Sequence, residues 1–122
     1  MNKAAEEFRK LCEDNRTNFQ RSPWAQQQGS KGWIHLITLE VEEVLNAPTT
    51  ENLAEELGDV LWNTISTILA LQKEGGPPLE DVLEAIRVKI RHRKPWIFDG
   101  SELTLTPDEE NLLWEQMKRR SR

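Results

Sequence analysis

The chain of 122 residues contains no tyrosine, a single cysteine and only two histidines. One thiol, Cys12, cannot close an internal disulfide, and without a second thiol it completes neither a zinc site nor a redox pair. It reads as a buried core or interface residue of a reducing compartment. No apolar run approaches the roughly 18 residues that a spanning helix needs. Residues 1–19 are studded with charge where a secretory signal would carry an apolar core. Both absences point away from membrane and secretion and toward the cytoplasm. A basic excess is missing too: 21 acidic side chains against 16 Lys and Arg give a net charge of −5. Proteins that coat nucleic acid polymers neutralise phosphates with Lys and Arg, so that class is disfavoured. Sustained alternation rich in Val, Thr and Tyr, the mark of strands, is also lacking.

What the chain does contain is helical periodicity. At 37% hydrophobic and 30% charged residues it can bury a modest core as one folded domain over residues 1–122. A first helix is expected over residues 4–19, with Phe8, Leu11, Cys12 and Asn15 on one side. Residues 20–32, with Pro23, Gly29 and Gly32, read as a loop carrying Trp24. A second helix follows over residues 33–46, and Pro48 stops it. Thr49 or Thr50 caps a third that runs to about Lys73, with Glu51 in its first turn. Residues 57–71 are apolar on nearly every side, which marks a central helix. After the hinge Glu74-Gly75-Gly76-Pro77-Pro78, a fourth helix carries Leu79, Val82, Leu83, Ile86 and Ile90 into a basic run that Pro95 ends. Thr106-Pro107-Asp108-Glu109 announces a short last helix. The expected fold is all-α: a compact bundle of four to five helices built around the apolar third one.

Carboxylates interrupt that apolar pattern. Glu40 and Glu43 share a face of the second helix with Leu36, Ile37 and Val44, and Glu56 and Asp59 sit beside Leu53 and Val60 on the third. Two helices joined by a short connection usually lie antiparallel, which brings both pairs into one four-carboxylate box. Such a box is unfavourable unless protons or cations occupy it, because like charges repel and burial raises their pKa values. Oxygen ligands without His or Cys select Mg²⁺, with Mn²⁺ as substitute, and Mg²⁺ held by few protein groups is typically shared with phosphates. Solvated acids on exposed helix faces are the alternative.

Glu40-x-x-Glu43, followed after twelve residues by Glu56-Leu57-Gly58-Asp59, resembles the paired-carboxylate signature of the MazG family of all-α nucleoside triphosphate pyrophosphohydrolases. Ser22-Pro23-Trp24 with Gln28 resembles the family's Pro-Trp-Asp-x-x-Gln loop, residues 54–61 its Glu-Glu-Leu-Gly-Asp helix, and residues 89–98 its Arg-Arg-His-Pro-His-Val-Phe ending. The resemblance is strongest over residues 8–100, which leaves residues 101–122 as a C-terminal loop and short helix. Departures occur at Leu39, where a leading Glu is common, at Ala25 for the loop Asp, and at Lys94 and Trp96, which replace two histidines.

The resemblance implies Mg²⁺-dependent hydrolysis of ribo- or deoxyribonucleoside triphosphates between the α and β phosphates, giving a monophosphate and pyrophosphate. Glu40, Glu43, Glu56 and Asp59 are the expected metal ligands, and Glu43 is the choice for general base. Lys89 and Arg93, four apart on the fourth helix, are expected to face the leaving pyrophosphate, with Lys31 adding to them. Trp24 is the candidate for stacking on the base and Asn63 for a substrate oxygen. Trp33, Trp62 and Trp114 read as packing residues. His35 and His92 read as surface residues, and neither lies three residues after a Glu as a di-iron bundle requires. The apolar third helix needs more cover than four short neighbours supply, so a homodimer or dimer of dimers is expected. Two other readings share these features: a phosphoribosyl-ATP pyrophosphohydrolase, and a catalytically silent dimerisation or regulatory module of the same fold.

Overall fold

The computed structural model describes residues 2–120, and helices are joined by short connections with no strand among the described residues. Seven helices follow one another: α1 (Lys3–Arg21), α2 (Pro23–Gln27), α3 (Ser30–Leu45), α4 (Thr50–Lys73), α5 (Leu79–Arg93), α6 (Pro95–Phe98) and α7 (Pro107–Arg120). The four long helices expected through residue 94 are present. The stretch expected as a loop is interrupted by α2, because Ser22 caps it, accepting from the Ala25 N–H at 3.1 Å, and Pro23 supplies the fixed φ of the first helical position. Pro95, expected only to stop a helix, likewise starts the single turn of α6.

The chain forms two compact units, residues 1–79 and 80–122. In the first, α3 and α4 make the most extensive helix–helix contact, and α1 lies against both α2 and α4. Four residues, 46–49, connect α3 to α4. Thr49 fixes where α4 begins, since its side chain accepts from the Asn52 N–H at 3.1 Å. At the far end Gly75 has φ +95° and Gly76 donates to the Leu71 carbonyl at 2.7 Å, a left-handed stop that glycine adopts without strain.

Two apolar clusters hold this unit. Cys12, Ile65 and Leu79 are buried together with Phe8, Leu11, Ile68 and Leu69 around them, so Cys12 is a core residue as expected. Ala25, Trp33 and Ala70 form the other, bordered by Phe19, Leu36 and Trp62. Between α1 and α4 lies a buried polar contact. The Asn15 amide, fully enclosed, donates to the Trp62 carbonyl at 3.2 Å and to the Ser66 hydroxyl at 3.0 Å. Burial of these groups is tolerable because each has a partner.

The apolar character of α4 is only half used inside the chain. Ile65 and Ala70 are buried, whereas Leu53, Leu57 and Leu61, successive turns of one face, are 37, 50 and 41% exposed. No helix is long and apolar enough to cross a membrane among the described residues. In the second unit Trp114 of α7 lies under the Arg93 guanidinium, 5.1 Å from its ring centre, and under the Lys94 ammonium at 5.7 Å. Lys94 also pairs with Glu110 at 3.6 Å, so Trp114 joins α7 to the end of α5 by charge as well as by area.

Candidate functional site

The α3–α4 hairpin carries the acidic residues. Its short connection makes the helices antiparallel, so the turn holding Glu40 comes beside the turn holding Glu56 and Asp59. One carboxylate oxygen from each of Glu40, Glu56 and Asp59 lies within 4.8 Å of the other two. Glu40 and Glu56 are half-buried and Asp59 is exposed, so the cluster is walled on one side and open on the other. Glu43, the fourth expected member, is exposed on α3 and lies outside this three-oxygen set, although its charge still acts on Glu40.

Glu40 is the strained member. Its Oε2 is shielded from solvent and has no hydrogen-bond partner. Its pKa is raised above the ordinary carboxylate range, first by burial, then by a hydrogen bond shared with the Glu56 carboxyl, and then by the adjacent Asp59, Glu56 and Glu43 charges. An orphaned buried carboxylate oxygen in a group of three carboxylates is the donor set of a hard divalent cation: all oxygen, negatively charged and open on one side. No His or Cys joins the cluster, as a zinc site would require.

The other expected site residues fall in two places. Trp24 sits on α2, not in a loop; it is 54% exposed and meets the buried Trp33 edge-on, ring centres 5.5 Å apart. Lys31 is exposed in the first turn of α3. Asn63 is buried one turn beyond Asp59, and its carbonyl accepts from the Thr67 hydroxyl at 2.8 Å. Lys89 and Arg93 belong to the second unit, on one face of α5. Arg93 has its Nε buried without a hydrogen-bond partner while its guanidinium covers Trp114. The role of Trp114 as the plane against which Arg93 rests was not visible in the sequence; the only signal was an aromatic on a helix following a basic run.

Fold and donor set together define an all-helical protein with an oxygen-lined, acidic centre between two antiparallel helices. A family model, the MazG nucleotide pyrophosphohydrolase domain, matches residues 28–98, more than half of the chain, and the protein belongs to that family. The matched stretch holds all four acidic residues and Lys89 and Arg93, and it begins after Trp24. The nucleoside triphosphate pyrophosphohydrolase of Escherichia coli K12 is 31% identical over 103 residues, which are 82% of this chain and 39% of that protein. The uncharacterized protein YabN of Bacillus subtilis is 29% identical over 102 residues, 80% of this chain and 20% of YabN. The chain thus spans about two fifths and one fifth of these relatives. A MazG-related protein from Thermotoga maritima, solved by crystallography, superposes with a TM-score of 0.80 at 26% identity, covering 91% of this chain and 98% of that one.

Proposed function

We propose that this protein hydrolyses nucleoside triphosphates between the α and β phosphates, releasing a monophosphate and pyrophosphate, at a Mg²⁺ centre held by Glu40, Glu56 and Asp59. The observation that carries the reading is the Glu40 Oε2, buried without a hydrogen-bond partner inside a three-carboxylate group whose oxygens suit a hard divalent cation. Its support from outside the chain is the family membership and the activity named for the Escherichia coli relative. A divalent cation there supplies charge neutralisation for phosphate oxygens and acidifies a bound water.

The chain's own residues divide the remaining work. Glu43 adjoins the cluster, and beside its place as a fourth proposed metal ligand it is the proposed general base, accepting a proton from the attacking water. Lys31, Lys89 and Arg93 are the proposed contacts for the departing pyrophosphate, each a cation with an exposed or half-exposed side chain. Trp24 offers an exposed face to the base, held at its edge by the buried Trp33, and Asn63 is the proposed contact to a substrate oxygen. The protein acts in this reading as a homodimer or dimer of dimers, with the exposed Leu53, Leu57 and Leu61 of α4 covered by another copy.

The test is a panel of ribo- and deoxyribonucleoside triphosphates, with phosphoribosyl-ATP beside them, each incubated with Mg²⁺. Turnover of common triphosphates to monophosphate and pyrophosphate is expected. Turnover of phosphoribosyl-ATP alone replaces the substrate assignment, and no turnover of any leaves the silent-module reading standing.

A further inference from the structure

Arg93 is held by an aromatic ring and answered by no acid. Its guanidinium lies over Trp114, 5.1 Å from the ring centre, and its Nε is shielded from solvent without a hydrogen-bond partner. The same residue lines the basic end of a groove of about 520 Å³ along α5, beside Lys89 and His92. None of the ion pairs among the described residues involves Arg93. Lys94 shares the ring, 5.7 Å from its centre, but its charge is answered by Glu110 at 3.6 Å. Of these two cations on Trp114, Arg93 is the one left without a counter-charge.

Shielding an N–H that has no acceptor is unfavourable. A ring that served only to pack would cover the methylenes of the arginine and leave its head in water, the usual habit of long cationic side chains. Here the head itself is fixed. An arginine has several rotatable bonds, and restraining them before a ligand arrives lowers the entropy lost on binding. The planar fork keeps its two Nη groups for phosphate oxygens. We infer that Trp114 is a positioning residue for the pyrophosphate half of the substrate. Its ring face holds the Arg93 guanidinium in a phosphate-binding pose, while Glu110 neutralises Lys94, so the free positive charge at this ring belongs to Arg93.

The inference rests on the reading of Arg93 as a pyrophosphate contact and goes beyond it. Trp114 stands on α7, outside the stretch 28–98 that matches the family model, so the match assigns it no role. No residue of α7 is fully buried. Truncating Trp114 therefore opens no cavity in the core, and its effect is confined to the residues over its ring.

The test is a double-mutant cycle on the full chain, with circular dichroism to establish folding. Binding of inorganic pyrophosphate and, separately, of a nucleoside monophosphate is measured by calorimetry in Mg²⁺. Trp114→Leu is expected to weaken pyrophosphate binding about threefold to tenfold, the range for a partly exposed cation–π contact, and to leave monophosphate binding within about twofold. Trp114→Met is read beside it as a second variant without a ring, and Trp114→Phe, which keeps a ring face, is expected to restore most of the affinity. In an Arg93→Gln background, Trp114→Leu is expected to add less than about twofold, because the ring acts through the arginine. Unchanged pyrophosphate binding by folded Trp114→Leu and Trp114→Met overturns the proposal. Equal weakening for pyrophosphate and monophosphate, the same loss whether Arg93 is present or replaced, or a Trp114→Phe as weak as Trp114→Leu assigns Trp114 to packing and overturns it too. Pyrophosphate binding that Arg93→Gln leaves at the wild-type level overturns it together with the Arg93 contact and spares the metal centre. A folded wild type that binds neither pyrophosphate nor triphosphate in Mg²⁺ overturns the proposed function as well.

Discussion

Replacing Glu40 with Gln removes one charge from the cluster and keeps its shape. Two unit charges within 4.8 Å repel by about 0.9 kcal/mol at the dielectric of water and by about 3.5 kcal/mol at an effective value of about 20. Glu40 faces two such partners, Glu56 and Asp59, neither fully buried, so the lower figure governs both pairs. Relief of about 1–2 kcal/mol is expected in metal-free protein, a rise in Tm on the order of 5 °C for a chain of this size. The pH dependence follows from the raised folded-state pKa of Glu40. A carboxyl whose pKa is raised on folding adds stability below its unfolded value and loses it as pH rises through the folded one. The advantage of Glu40→Gln over wild type is therefore absent in acid and appears toward neutrality. Mg²⁺ reverses the order: at a hundred times its Kd it stabilises the wild type by about 2.7 kcal/mol and the variant by much less. The assay is a thermal melt of both proteins in EDTA and in Mg²⁺, at acidic and neutral pH. Equal Tm values for the two proteins under all four conditions refute the reasoning, because the carboxylates would then be solvated and independent.

Other outcomes follow from the same geometry. Glu43→Gln is expected to keep Mn²⁺ binding, measured by electron paramagnetic resonance, while kcat falls by about a hundredfold or more, the range for loss of a general base. Trp24→Ala is expected to raise KM by about tenfold to a hundredfold with kcat little changed, since base stacking contributes roughly 1–3 kcal/mol to ground and transition states alike. Asn15→Ala leaves the Trp62 carbonyl and the Ser66 hydroxyl without the amide that serves them, and should cost about 2–3 kcal/mol in urea unfolding with the active site unaffected.

The long helices were legible in their apolar spacing, and α4 also in the cap that begins it. Thr49 and the Gly75-Gly76 stop bound α4 as the sequence suggests. Short helices were not legible. α2 and α6 begin at Pro23 and Pro95, and a proline that ends one helix looks the same in sequence as one that opens the next. Within the candidate site, i,i+3 spacing placed both acidic pairs on the facing sides of the hairpin, but spacing fixes a face and not a side-chain reach. Glu43 consequently falls outside the set formed by Glu40, Glu56 and Asp59.

The proposed chemistry is cleavage between the α and β phosphates, driven by the three-carboxylate group. It is tested most directly by phosphorus NMR of a triphosphate turned over in Mg²⁺ by wild type and by Glu56→Ala, with circular dichroism to establish that both are folded. Wild type is expected to yield pyrophosphate and monophosphate as primary products, and the folded variant none. Orthophosphate as the primary product, or undiminished turnover by Glu56→Ala, contradicts it.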